Sequence, residues 1–422
     1  MFRFVTGLGF VSFILHLCIM CSENSYPSVI QLSRPPIPVV RVGFIGLGMR
    51  GPEAVKRFTF LKNTSVSALC DLYPEPVAAA QEILASRGCA PAREFIGADA
   101  WKRLCEMEEL DLVYVAAPWQ MHAAIGIYAM ECGKNVALEV PAATTVEECW
   151  ALVNTAERTR MHCMMLENSC YDSFEMTCQN MARQGLFGEL VHLEGGYCHN
   201  LSSYWDKYRD DWSMKFSAAH HGDVYPTHGL GPLCQLLDIH RGDKLSYLVS
   251  MDSAAFGGEA LAAKRYGSSA SFANGDMTST LIRTERGRSI LLQHSVMTPQ
   301  PYSRLYRIYG TAGFANKYPV PGFVFDDGKE YLPDSECQKL LSQYEHPLWK
   351  ELSSQALSVG GHNGIDYLMD YRLVYCLHNG LPLDMDVYDA AEWSCIVELS
   401  ERSILGGSVP VFIPDFTRGR WK

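Results

Sequence analysis

Between residues 42 and 166, apolar residues come either as short continuous runs or as longer stretches in which they recur every three or four positions. Unbroken runs suit strands buried on both faces, and the spaced pattern suits helices lying across them. The runs fall at 42–45, 66–70, 112–117, 135–140 and 162–166, with helices predicted at 52–61, 73–87, 121–132 and 146–160. Alternation at these lengths predicts an α/β fold with an N-terminal doubly wound parallel sheet. After Glu167 the texture changes. Strand-like runs at 190–197, 246–251, 278–283, 289–296 and 304–309 are separated by turns such as Asn274-Gly275 and Arg286-Gly287. They predict one large, mostly antiparallel sheet. Helices are expected at 173–184, 231–237, 365–377 and 388–406. The organisation predicted is a leader at 1–21, a proline-bearing linker at 22–40, a Rossmann domain at 41–166 and an α+β substrate domain at 167–422.

The turn after the first run reads Gly46-Leu47-Gly48-Met49-Arg50-Gly51, a GxGxxG spacing. Gly46 would make the tight turn, Gly48 would let backbone approach a diphosphate, and Gly51 would let the next helix pack close. Met49 and Arg50 lie within that turn and are read as cofactor contacts with it. Asp71 closes the second run, 20 residues beyond Gly51, where an acid reaches the adenosine ribose 2′-hydroxyl and favours NAD. The carboxyl ends of such strands form the crevice in which ligands bind.

Composition narrows the partners. With 48% hydrophobic residues in 422, the chain can fill two cores, and a net charge of −11 leaves no basic excess for nucleic acid or an anionic membrane. A single early charge, Arg3, precedes a nearly uninterrupted apolar run to Met20, which is a signal-peptide pattern. The chain is therefore expected to be exported, to the periplasm or cell envelope. Cys21 is a candidate lipid-anchor position, although Cys18-Ile19-Met20 before it fits a lipoprotein signal poorly. Of the 15 cysteines, those beyond the leader are scattered through strand and helix patterns and read as buried small hydrophobes. No Cys or His spacing fits a metal site. The composition leaves room for a homo-oligomer.

The residues assembled resemble the glucose–fructose oxidoreductase family, also called Gfo/Idh/MocA, and within it the NAD-dependent glycosidases of glycoside hydrolase family 109. The matching stretches include IGLGMRGPEAV from Ile45, LCDLYP from Leu69, EVPAATTVEECW from Glu139, CMMLENSCYD from Cys163, YPTHGLGP from Tyr225, TPQPYSR from Thr298 and GGHNGIDYLMDYRLVYCL from Gly360. The resemblance implies hydrolysis of a glycoside or glycan, typically of N-acetylgalactosamine, with retained NAD. The route is transient oxidation at C3, deprotonation at C2, elimination of the C1 group, water addition and re-reduction. It implies that Tyr171 is the base for the C2 proton and that His228 serves the hydroxyl being oxidised, with Tyr225 beside it. Trp119, His122, Glu167 and Asn168 match cofactor contacts, Glu139 at a strand end near the nicotinamide is a candidate for both cofactor binding and catalysis, and Tyr302 and His362 match substrate-side positions.

Two departures stand out. Val140 follows Glu139 where most of the oxidoreductases carry a catalytic lysine, which speaks against the alternative of a plain NAD-dependent sugar dehydrogenase. Trp212 is followed by Ser213 where the family usually places an arginine that reaches the sugar. Arg209 and Lys215 are candidate substitutes, and Tyr204, Trp205 and Tyr208 are candidate sugar-stacking rings.

Overall fold

The computed structural model describes residues 26–207, 209–267 and 271–422; the leader, Cys21 and Tyr208 lie outside the described residues. Strands β1 (Val40–Ile45), β2 (Thr64–Asp71), β3 (Arg93–Ile96), β4 (Leu112–Val115), β5 (Asn135–Leu138) and β6 (Cys163–Met165) form a parallel sheet in the order β3-β2-β1-β4-β5-β6. Helices α1 (Gly51–Phe58), α2 (Pro74–Ser86), α3 (Ala100–Cys105), α4 (Trp119–Glu131) and α5 (Val146–Thr159) supply the crossovers. Strand order reverses between β1 and β4, so the crevice opens where their carboxyl ends part. Ile45 pairs with Cys70 on one side and Val115 on the other, which brings the glycine turn, Asp71 and Trp119 to one edge.

The second sheet runs β13-β12-β11-β7-β10-β9-β8-β14, antiparallel except between β7 and β10. Its strands are β7 (Leu190–Cys198), β8 (Leu245–Asp252), β9 (Thr278–Thr284), β10 (Ser289–Ser295), β11 (Arg307–Gly310), β12 (Gly313–Asn316), β13 (Gly322–Phe325) and β14 (Val411–Phe412). The helices around it are α6 (Ser173–Arg183), α7 (Trp212–Ala219), α8 (Thr227–Leu236), α9 (Phe256–Tyr266), α10 (Asp334–Gln343), α11 (Pro347–Val359), α12 (Ile365–Asn379) and α13 (Val387–Leu405). The expected strand at 304–309 starts late because Leu305 and Tyr306 have positive φ, 60° and 50°, which breaks an extended run.

Helix α13 joins the halves. A capping box from Asp386 and Asp389 starts it, and Trp393, Cys395, Ile396 and Leu399 along it are buried in a core shared with the first sheet. Ser394 Oγ accepts from the Ala142 amide at 3.0 Å, and Glu398 accepts from Val146 N at 2.5 Å. Residues 26–39, read as linker, pack on this joint: Val29 is buried, Ser28 Oγ lies 3.1 Å from the Tyr388 hydroxyl, and Ile37 N donates to Leu377 O at 3.1 Å.

Helix α8, which carries His228, lies directly on β7 because both backbones are bare where they cross. A Cβ on Gly229 would stand 2.3 Å from Gly196 N, and one on Gly195 would stand 2.4 Å from Gly229 O. Glycine here serves close approach of backbone to backbone.

Candidate active site

The cofactor side is built by the glycine turn. Gly46 has φ +88°, and a Cβ there would lie 2.5 Å from Ala116 O, so only glycine fits. Gly51 sets α1 against Gly46 O, whereas the space around Gly48 is open to the crevice. No side chain caps the first turn of α1, which leaves its amides for an anion. Asp71 Oδ2 accepts from Leu47 N at 2.7 Å and Oδ1 from Tyr73 N at 3.0 Å, so the acid braces the turn from the end of β2. An open glycine, an uncapped helix start and an acid at the second strand end fit a dinucleotide.

Other expected cofactor residues have firm assignments. Glu139 accepts from the Tyr114 hydroxyl at 3.3 Å and faces Arg50 Nε at 3.5 Å. Asn168 Nδ2 donates to Asp366 Oδ1 at 2.6 Å. Met49 is exposed. His122 departs from expectation. It is buried with its ring nitrogens 2.7 Å from Ala117 O and 2.8 Å from Pro141 O, so it staples two turns and leaves neither nitrogen for a cofactor.

The sugar side centres on His228. Its Nδ1 lies 2.6 Å from Oε1 of Glu167, a fully buried carboxylate that also accepts from Ser169 N at 3.0 Å. Burial opposes ionisation of Glu167, but His228 and the Ser169 amide outweigh it and hold the carboxyl below its ordinary value. An ionised carboxylate only accepts, so it holds a proton on His228 Nδ1, and in the neutral ring that leaves the lone pair on Nε2. Glu167, expected at the cofactor, is the orienting partner of this histidine instead.

Around His228 stands a box of rings. Tyr225 and Tyr197 have centroids 4.9 Å and 5.3 Å from it and 4.9 Å from each other. Trp119 stacks on Tyr225 at 5.3 Å, linking the box to the crevice. Tyr302 is half-exposed at the rim, 6.5 Å from Tyr197. Its loop is pinned by buried Arg304, which donates to Asp172 and Glu175, both at 2.7 Å, while Lys317 reaches the same two acids. Tyr197 was missed because one aromatic ending a strand pattern carries no signal; only the Gly195-Gly196 pair before it hints at a crossing helix.

Two further expected site residues have partners that the sequence does not announce. The Tyr171 hydroxyl donates to Asp384 at 3.0 Å, and Asp384 is gripped by Arg372 at 2.6 Å and 2.8 Å. Burial and then Asp384 push this phenol well above its ordinary pKa, so the anion a base requires is disfavoured. His362 stands on the cofactor side, 2.9 Å from Asp366 and 3.4 Å from Arg50.

Beside the box, Ser213, Ser217, Trp205, His294, Tyr197 and Tyr225 border a cavity of about 40 Å³. Burial pushes His294 down to about 3 and His199 to about 4, so both are neutral near pH 7. Lys215 does not replace the absent arginine: exposed, it donates to Asp210 O at 2.7 Å. Trp205 is buried against Phe272, and Tyr204 is exposed.

The geometry therefore sets a dinucleotide-type crevice beside a histidine–glutamate pair, His228 of α8 and Glu167 just after β6, with Tyr225 and Tyr197 packed around it. Residues 40–167 match the family described as "Oxidoreductase family, NAD-binding Rossmann fold", and residues 171–422 match "Glycosyl hydrolase 109, C-terminal domain". The chain belongs to glycoside hydrolase family 109. It is 55% identical over 410 residues to "Glycosyl hydrolase family 109 protein 1" of Bacteroides fragilis, covering 93% of this chain and 88% of that protein. It is 49% identical over 410 residues to an "Alpha-N-acetylgalactosaminidase" of the same species, covering 94% and 96%. A solved levoglucosan dehydrogenase in complex with NADH and levoglucosan has a TM-score of 0.67 at 17% identity, covering 89% of this chain and all of that one. At that identity it shares the fold.

Proposed function

We propose that this chain is an exported glycosidase that hydrolyses N-acetylgalactosaminide-like glycosides by transient oxidation at C3 of the sugar. The observation that carries the reading is the 2.6 Å pair of His228 and buried Glu167, set among tyrosines above the crevice. When bound, NAD supplies the hydride acceptor, restored within each turnover. The turn from Gly46 to Gly51, with Asp71 beneath it, would hold the dinucleotide. His228 Nε2 takes the proton of the sugar 3-hydroxyl as that carbon is oxidised and later returns it. The ketone acidifies the C2 proton. Tyr197, in ring contact with His228, takes that proton; the C1 substituent leaves as the C1–C2 double bond forms, and water then adds at C1. No pair of carboxylates is required at the glycosidic bond. The buried side chain of Val140 leaves no ammonium at the lysine position, which fits a route without net oxidation. The apolar start of the chain supports export to the periplasm or cell envelope.

Hydrolysis in deuterated water tests the assignment of the base. Tyr197→Phe is expected to lower deuterium incorporation at C2 by about tenfold or more, within the range of general acid–base effects. Tyr171→Phe is expected to leave it near the wild-type level. Loss in Tyr171→Phe with retention in Tyr197→Phe would return the base to Tyr171.

A further inference from the structure

Residues 360–364, Gly-Gly-His-Asn-Gly, have φ values of 88°, 82°, 44°, 57° and 91°, five positive-φ residues in succession. Two of them carry side chains, and left-handed backbone costs such residues roughly 1–2 kcal/mol each. Strain of this kind persists where surroundings over-determine it and concentrates at ligand clamps and switches. Here the turn is closed by Gly364 N on Gly361 O at 2.9 Å and Asp366 N on the same oxygen at 3.3 Å. Its result is to stand His362 out from the second half of the chain, with a side chain 58% exposed, over Arg50 of the glycine turn.

Arg50 sits at the centre of a bridge. Its Nη1 is 3.4 Å from His362 Nδ1, its Nη2 3.3 Å from Asp366 Oδ2 and its Nε 3.5 Å from Glu139 Oε1. Asp366, itself buried, also accepts from Asn168 at 2.6 Å and from His362 at 2.9 Å. The contacts thus run from the diphosphate turn, beside Gly48, to the end of β5 and to the start of α12. A ligand lying along the turn would therefore lie beside this bridge. The individual contacts to Arg50 are long and partly exposed, so the bridge can open, whereas Asp366 is fixed in place.

We propose that Arg50, His362 and Asp366 form a latch that closes the cofactor crevice and keeps a bound dinucleotide from exchanging between turnovers. The inference rests on the function proposed above in one respect: a cofactor restored in every cycle has no need to leave. A latch made of partly exposed charges predicts release that quickens with salt.

The test measures release directly. Purified protein is loaded with radiolabelled NAD, chased with excess unlabelled NAD in the absence of any sugar, and the retained label is followed with time. His362→Ala removes the exposed arm of the latch without touching the glycine turn, and Arg50→Gln removes its centre. Both are expected to speed label loss by about tenfold, as the loss of one charge-assisted contact would. Added salt is expected to speed release from the wild type and to have little effect on Arg50→Gln. Equal release rates for wild type and His362→Ala would overturn the latch. Because no sugar is present, absence of glycosidase activity would count against the proposed function and leave this result standing.

Discussion

Glu167→Gln is expected to lower kcat/KM for glycoside hydrolysis by about 10²- to 10⁴-fold, the span of general acid–base contributions. The substitution keeps the shape of a side chain packed so closely that a Cβ on Gly231 would stand 2.8 Å from its Cγ. What changes is its hydrogen-bonding character. Carboxylate oxygens only accept, so they hold the proton on His228 Nδ1 and leave Nε2 as a base, whereas a glutamine amide can donate to Nδ1 and move the proton to Nε2. A histidine with its proton on Nε2 cannot accept one from the sugar. NAD content and melting temperature are expected to stay near wild type, separating this effect from unfolding. Unchanged kcat/KM would remove Glu167 from the mechanism.

Arg57→Met is expected to destabilise the protein by about 3–5 kcal/mol, the cost of breaking a buried ion pair by deleting one partner. Arg57 lies in α1 with 2% side-chain exposure, its Nε 2.7 Å from Asp370 Oδ2 and its Nη1 3.5 Å from Asp366 Oδ2. Without it, Asp370 is a buried carboxylate that has lost its cation, while Asp366 beside it keeps Arg50 at 3.3 Å. The double variant Arg57→Met with Asp370→Leu is expected to recover part of the loss, since an apolar pair avoids the stranded charge. Urea unfolding midpoints of the three proteins decide the matter. A single variant as stable as wild type would show that the pair carries no net weight.

Much of this was legible in the sequence for local reasons. The glycine turn, Asp71 and the alternating runs each report a backbone requirement within a few residues, so the parallel sheet and its crevice followed from spacing. The antiparallel sheet was legible as a class, but the edge strands β13 and β14, and β12 next to β13, are two to four residues long and leave little periodicity. The failures at the site are non-local. Glu167 and His228 are 61 positions apart, and nothing short-range says that a carboxylate ending the first half will lie beneath a histidine of α8. Tyr171 resembles a family base, yet its hydroxyl is turned by Asp384, a residue 213 positions away. His362 could be placed in a glycine-rich turn, but its position over Arg50 depends on two distant elements meeting.

The most direct measurement incubates the purified protein with a panel of nitrophenyl glycosides in deuterated water while product mass and NADH absorbance are followed together. Aglycone release from the N-acetylgalactosaminide, deuterium at C2 of the freed sugar and no lasting NADH are expected. Aglycone release without deuterium at C2, or NADH accumulating without aglycone release, would contradict the proposed mechanism.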